Sequence, residues 1–290
     1  MSLSEELIRT TVRIACEGPG WRGTGTGFFF NFCKRGDVSI PAIVTNRHVV
    51  RDATSMTFLV NVADESGKDS GERMTVRASD AGHQWIHHPD PGVDLCILPI
   101  APLQRFCPPG HQLSFKAFDA SNIPSEAEVD KLSYIDEVTM IGYPNGLWDE
   151  VNNLPIVRRG ITATPYRFDY QGRREFVIDS ACYPGSSGSP VMVYNEGAFA
   201  SSGGLTVGNR LHLLGILYSG PVRDVEGRIV MSTGPRVLTR DMLNLGYVIK
   251  ASRLLEFESV LSALATQGER GEAPSDETVE HGSGEDAMGA

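Results

Sequence analysis

Three serines stand close together in residues 181–193, whose sequence is ACYPGSSGSPVMV. Gly185 and Gly188 flank the pair Ser186 and Ser187, and Ser189 follows. A serine hydroxyl can attack a carbonyl carbon when a base takes its proton and backbone N–H groups stabilise the oxyanion that forms. Clusters of glycine and serine are also common in turns that carry no chemistry. The segment is therefore either a polar turn or a nucleophile loop.

The order of the glycines separates two kinds of serine motif. The nucleophile elbow G-x-S-x-G leads into a helix, but here Gly188 directly follows Ser187 and the strand-like SPVMVY comes next. The pattern G-x-S-G-x-P is matched instead, with Gly185 two residues before Ser187. That glycine lets the backbone turn so that its N–H and the N–H of Ser187 point at one spot. Ser187 is thus the candidate nucleophile, and Gly185 and Ser187 are the candidate oxyanion-hole donors.

A reactive serine also needs a base and a group that orients the base. The segment AIVTNRHVV places His48 at the end of an apolar, strand-like run. The segment GVDLCILPI places Asp94 at the start of another. The chain order is histidine, aspartate, serine, which is the order of chymotrypsin and not that of subtilisins or α/β-hydrolases.

With these residues the sequence resembles the trypsin-like serine peptidases of the chymotrypsin fold, closest to the Deg/HtrA branch and the glutamyl endopeptidases. The similarity runs in family order across about residues 10–260 through these segments: GTGTGFFF, IVTNRHVV, VDLCILPI, VTMIGYPNGL, VRRGITAT, FVIDSACYPGSSGSPV and LLGILYSG. It implies an endopeptidase with Ser187 as nucleophile, His48 as base and Asp94 as the residue that orients His48. Gly185 and Ser187 would supply the oxyanion hole. The alternative is a catalytically silent trypsin-like module that binds peptides or regulates another protein.

Three departures from the family refine this expectation. Ser186 stands where secreted members have an aspartate that pairs with a newly cut N-terminus, so activation by removal of a propeptide is not expected. Ser189 stands where Deg/HtrA proteins usually have glycine, and a serine at this position is a point of similarity to the glutamyl endopeptidases. About 25 residues follow the last helical segment, too few for a PDZ domain. Regulation is therefore absent or supplied by a partner chain.

The resemblance also indicates a primary substrate pocket. One wall would be Ala181 and Cys182, and the other Leu217, Tyr218 and Ser219. A pocket for arginine or lysine needs a carboxylate at its base, and Ala181 occupies that position. The sequence therefore predicts a preference for a small or medium apolar residue before the cut.

His212 lies five residues before Leu217. Strand alternation should turn it to the opposite face, away from the pocket.

Short strand-like segments between Gly, Pro and Asn residues predict an all-β protein of two six-stranded antiparallel barrels. A C-terminal helix is predicted from Leu254, Leu255, Leu261 and Leu264, with Ser252 as its N-cap. The predicted division is as follows: an N-terminal barrel carrying His48 and Asp94 (1–105), a connection (106–135), a C-terminal barrel carrying Ser187 (136–251), the helix (252–265) and a disordered acidic tail (266–290).

Composition excludes several partners. The net charge of −10 argues against nucleic acid, and no 18-residue apolar run could span a membrane. His83, His87 and His88 lack a cysteine or acid at ligand spacing, so we expect no metal or other cofactor, and a solvated loop before Asp94.

Five unpaired cysteines and the absence of a signal peptide indicate a reducing, cytoplasmic location. Cys96 should be a buried free thiol. The expected partners are protein or peptide substrates.

Overall fold

The computed structural model describes residues 2–79, 84–201, 204–227 and 237–271. Nine strands belong to the first half of the chain: β1 (Thr11–Gly18), β2 (Trp21–Arg35), β3 (Val38–Thr45), β4 (Ser55–Ala63), β5 (Asp69–Ser79), β6 (Ile86–His87), β7 (Cys96–Pro99), β8 (Gln112–Ser114) and β9 (Phe118–Asp119). They form one sheet in the order β5-β4-β1-β2-β3-β7-β6, with β8 paired to β4 and β9 paired to β2. Among the described residues this half contains nine strands and not the six predicted: seven lie before residue 106, and the expected connection (106–135) contributes β8 and β9.

Six of the strands that follow form a closed barrel. The strands of this half are β10 (Glu137–Gly142), β11 (Ile156–Thr162), β12 (Glu175–Asp179), β13 (Pro190–Asn195), β14 (Ala198–Ser201), β15 (Gly204–Val207), β16 (Arg210–Ser219), β17 (Val222–Gly227), β18 (Val237–Met242) and β19 (Leu245–Lys250). The barrel order is β10-β11-β12-β19-β16-β13, while β14-β15 and β17-β18 are separate hairpins. The all-β class and the second six-stranded barrel are confirmed.

The helices are short except for the last. They are α1 (Leu3–Leu7), α2 (Arg47–Val50), α3 (Glu126–Val129) and α4 (Phe257–Gly271). In the described part of the chain, 3₁₀ segments accompany them at Ala101–Phe106, Ala120–Asn122, Pro144–Gly146, Tyr170–Gly172 and Ala251–Glu256. Within the described residues, no helix has the length and hydrophobicity needed to cross a membrane.

The C-terminal helix is confirmed, but its predicted bounds differ from those observed. Lys250 still pairs with Gly215 in the barrel, so the chain turns directly into the 3₁₀ segment and the α-helix begins only at Phe257. Ser252 lies inside the 3₁₀ segment and is not an N-cap. The helix continues to Gly271 through good helix formers such as Gln267 and Glu269. It thus includes the first residues of the predicted tail, and residues 272–290 lie outside the described part of the chain.

The core explains how the two halves meet. Along β2, Phe28, Phe30 and Phe32 are fully buried on one face, where they join a cluster with residues of both halves, including Ile216 and Phe257. Phe29 points to the other face, where it joins a second cluster made of buried residues from the first half of the chain. A strand with both faces buried is expected from a continuous apolar run such as GFFF. This shared cluster fixes the first half against the barrel.

Candidate active site

His48 lies on a single helical turn at the end of β3. The strand stops at Thr45, and the fully buried Asn46 follows. Asn46 donates from Nδ2 to the backbone carbonyl of Asp94 at 2.9 Å. The His48 side chain, which is 41% exposed, therefore faces solvent from a backbone held on its inner side. Asn46 was not among the predicted site residues, although its place two residues before His48 was a usable signal.

Asp94 reaches His48 because β3 and β7 are neighbours, with Thr45 opposite Cys96. The Asp94 carboxylate accepts the backbone N–H of His48 at 3.0 Å and the ring Nδ1–H at 2.5 Å. A proton on Nδ1 leaves Nε2 with a free lone pair, the form that a general base requires. The structure thus brings these two candidate residues together in the expected orientation.

The loop that carries Asp94 is held by the C-terminal segment. His88 is buried, accepts the backbone N–H of Asp90 on Nδ1 at 3.0 Å, and contacts the carbonyl of Arg253 through Nε2 at 3.1 Å. Arg253 pairs with Asp90 at 2.6 Å, and the ring of Phe257 lies edge-on to His88.

The expectation of a solvated loop around His88 was wrong, because the side chain is buried against Arg253, which lies 165 residues further along the chain. No local pattern indicated this contact. His83 lies outside the described residues, and the described part of the chain contains no group of three side chains able to hold a metal ion.

Ser187 lies in a tight loop before β13. Gly185 and Gly188 have φ angles of +87° and +89°, a region that glycine adopts without strain. The Ser187 hydroxyl donates to the carbonyl of Tyr218 at 3.3 Å, and in the described structure it makes no hydrogen bond to His48. Thr26 links the loop that carries Ser187 to the end of β3, which precedes His48. It donates its N–H to the Ser187 carbonyl at 2.9 Å, while its own carbonyl accepts the Thr45 hydroxyl at 2.7 Å.

The two candidate oxyanion-hole donors are unpaired. The N–H groups of Gly185 and Ser187 have no hydrogen-bond acceptor within the described residues. The carbonyl of Pro184 accepts the Asn145 N–H at 2.6 Å, and that of Ser186 accepts the Ser189 N–H at 3.0 Å. In a trans peptide the N–H points away from the preceding carbonyl. These two bonds therefore leave the two N–H groups facing away from the protein's own acceptors.

The five predicted pocket residues do not all line open space. Cys182 and Leu217 are 7% and 2% exposed and belong to the barrel core. A Cβ at Gly246 would lie 2.6 Å from both side chains, so the two side chains meet there in the barrel core. Ala181 is half-buried, and Ser219 is exposed. Burial, followed by the neighbouring Glu175 carboxylate, raises the pKa of Tyr218, whose hydroxyl donates to that carboxylate at 2.9 Å.

Arg158 approaches the same loop from β11. On the neighbouring strand β10, Met140 lies opposite Arg158 and points into the barrel core. Because residues opposite each other on paired strands share a face, the Arg158 side chain leaves β11 on that same face. Its guanidinium donates to the carbonyl of Ala181 and lies 4.9 Å from the centre of the Tyr183 ring. Arg158 is therefore held against the loop that precedes Ser187 and is not a freely solvated surface charge.

His212 is separated from the pocket by distance and not by strand face. Val191 pairs with Gly215 but Met192 pairs with Leu213, so Leu214 forms a bulge. A bulge shifts the alternation by one residue, and His212 therefore shares a face with Leu217. Five residues of strand span about 16 Å, and His212 lines a cavity with Leu132 further along the barrel.

Comparison with protein families gives a match that covers more than half of the chain. The family of the trypsin-like peptidase domain matches residues 25–200, which include His48, Asp94 and Ser187. No curated protein sequence matches.

Solved structures with a similar chain course include the Rv3671c protease from M. tuberculosis in its active form, with 15% identity, a TM-score of 0.45 and coverage of 90% of this chain and 82% of that one. The serine endoprotease from Yersinia pestis has 15% identity and a TM-score of 0.41, with coverage of 93% and 66%. The HtrA-type protease AlgW with a tripeptide has 16% identity and a TM-score of 0.45, with coverage of 92% and 65%. The chain spans about two thirds of the latter two.

Proposed function

Because the chain belongs to the family of trypsin-like peptidases, we propose that it hydrolyses peptide bonds in protein substrates through an acyl-enzyme on Ser187. His48 takes the proton of the Ser187 hydroxyl through Nε2 as the hydroxyl oxygen attacks the scissile carbonyl carbon. The hydroxyl must first turn from the carbonyl of Tyr218 toward His48. Asp94 keeps the second ring nitrogen protonated and stabilises the imidazolium that forms.

The oxyanion of the tetrahedral intermediate is bound by the N–H groups of Gly185 and Ser187. The intermediate collapses when His48 gives its proton to the leaving amine, and a water then repeats the sequence on the acyl-enzyme. Each donor of this kind contributes about 10²–10³ to the rate in serine proteases.

One observation supports catalysis over the alternative of a silent peptide-binding module. Two backbone N–H groups next to the Ser187 hydroxyl are left without an acceptor in the described residues. An unpaired N–H shielded from water is costly, and a module that only binds peptides has no need for two of them at a serine. A developing oxyanion would satisfy both.

Labelling with a fluorophosphonate probe tests the proposal. The wild-type protein should be labelled, and Ser187→Ala should abolish labelling. Ser186→Ala is the matched control, since the buried Ser186 hydroxyl is one residue away and has no hydrogen-bond partner among the described residues. This variant should still be labelled. An unlabelled wild-type protein would favour the silent module.

For the substrate, we propose a small or medium apolar side chain before the scissile bond. The support is that Cys182 and Leu217, two of the predicted pocket residues, are apolar and buried in the barrel core. An acidic residue is the second candidate, because the Arg158 guanidinium has no carboxylate partner within the described residues and bonds to the carbonyl of Ala181. The cytoplasmic location and a regulatory partner chain stay predictions from the sequence.

A further inference from the structure

Thr26 is the point at which the first half of the chain holds the nucleophile loop. It lies in β2, is fully buried, and uses all of its polar groups. The hydroxyl donates to the carbonyl of Gly185 at 2.9 Å and accepts the backbone N–H of Tyr143 at 3.0 Å. The backbone N–H donates to the carbonyl of Ser187 at 2.9 Å. Two carbonyls of the loop are therefore bound by one residue about 160 positions earlier.

These bonds fix the orientation of peptide groups that matter for the chemistry. The Gly185 carbonyl lies between the two candidate oxyanion-hole donors along the chain. With its oxygen bound to Thr26, the peptide that joins Gly185 to Ser186 cannot rotate freely. Rotation of this peptide would move the N–H groups on either side of it and so change the distance from each to the oxyanion.

The loop does not hold itself in this conformation through its own side chains. The hydroxyls of Ser186 and Ser189 are buried and have no hydrogen-bond partner in the described residues. Gly185 and Gly188 both have positive φ angles, and glycine restricts the backbone less than any other residue. The loop therefore depends on contacts from outside itself, and among them the Thr26 hydroxyl is a side-chain group that mutation can remove.

We propose that Thr26 is a positioning residue that holds residues 185–187 in the conformation that forms the oxyanion hole. This inference rests on the proposed function for its effect on the rate, but its effect on the loop does not depend on activity. It assigns a role to a threonine of the segment GTGTG, residues 23–27.

Thr26→Val removes the hydroxyl and keeps the side-chain shape, whereas Thr26→Ser keeps the hydroxyl. Thr162→Val is the matched control. Thr162 is also a buried threonine in a strand, and its hydroxyl accepts the Asp136 N–H at 2.9 Å, away from the nucleophile loop. Misplaced oxyanion donors should cost less than deleted ones, so Thr26→Val should lower kcat about 10- to 100-fold with little change in KM. Thr26→Ser should restore kcat to within about threefold of wild type, and Thr162→Val should leave kcat nearly unchanged.

A second measurement separates this inference from the proposed function. Amide hydrogen exchange of the peptide that covers residues 182–190 should be at least about tenfold faster in Thr26→Val, and unchanged in Thr162→Val and Thr26→Ser. If the wild-type protein is inactive but exchange responds in this way, the proposed function fails and the positioning role stands. Equal exchange in Thr26→Val and Thr162→Val, or a kcat in Thr26→Val equal to that of wild type, would overturn the inference.

Discussion

Replacing Asp94 by asparagine tests how the candidate site works with the smallest change of shape. In the wild-type protein the two carboxylate oxygens accept from the His48 backbone N–H at 3.0 Å and from Nδ1–H at 2.5 Å. An asparagine can accept only one of these bonds, through its single oxygen. If the oxygen keeps the backbone bond, the amide NH₂ faces Nδ1 and must donate to it.

The ring then carries its proton on Nε2, the nitrogen that should take the proton of Ser187. The backbone would not move, because Asn46 still donates to the carbonyl of residue 94. The variant should therefore keep its fold and its substrate affinity and lose its base. In serine proteases the wrong tautomer costs about 10⁴ in kcat, which is about 5.4 kcal/mol in the barrier.

Steady-state kinetics on a protein substrate would show this as a loss in kcat of about 10⁴ with KM within a few fold. Asp52→Asn is the control, because Asp52 follows the same helical turn but is exposed and pairs only loosely with Arg51 at 3.5 Å. It should retain wild-type kinetics. A loss of less than tenfold in Asp94→Asn, or an equal loss in Asp52→Asn, would refute the assignment of Asp94.

Three further predictions concern the surroundings of the site. Phe257→Ala should reduce the free energy of unfolding by about 3–5 kcal/mol in urea denaturation, since the ring is fully buried against Phe32 and His88. Leu264→Ala on the same helix, where the side chain is 46% exposed, should cost under about 1 kcal/mol, and equal losses would contradict the packing. Burial raises the pKa of the Cys182 thiol to about 11, so iodoacetamide at pH 8 should leave it unmodified in the folded protein and modify it in urea, because the thiolate is the reactive form. Cleavage-site profiling of a peptide library should find alanine, valine, leucine or methionine before the cut; dominant cleavage after aspartate or glutamate, lost in Arg158→Leu, would favour the second candidate.

Local sequence patterns predicted the all-β class, which is confirmed, and selected the three candidate catalytic residues. The run from Phe28 to Phe30 predicts a strand by composition alone, and its three consecutive apolar side chains agree with burial on both faces. His48 and Asp94 each adjoin such a run, and the pairing of β3 with β7 brings the two run ends together. The family resemblance supplied what the patterns lacked, because it predicts that the half carrying His48 and Asp94 packs against the half carrying Ser187.

Long-range contacts and local irregularities could not be read from the sequence. His88 looked like part of a solvated loop because its partner Arg253 is far along the chain. Strand alternation misplaced His212 because the bulge at Leu214 shifts the faces by one residue, and no residue type marks that bulge. The predicted C-terminal helix ended too early, at Ala265, because the segment that follows is polar. Glutamine, glutamate and arginine nevertheless favour helices.

The glycine after the nucleophile has a physical reason that links two distant motifs. A Cβ at Gly188 would lie 1.9 Å from the carbonyl oxygen of Thr26 and 2.5 Å from the hydroxyl of Thr45, so any larger residue would push the loop away from β2. A Cβ at Gly142 would lie 2.7 Å from the Thr26 hydroxyl. The space that these glycines leave is the space that Thr26 occupies. The segments GTGTG and PGSSGS are therefore the two sides of one contact, and a change on either side should be felt at Ser187.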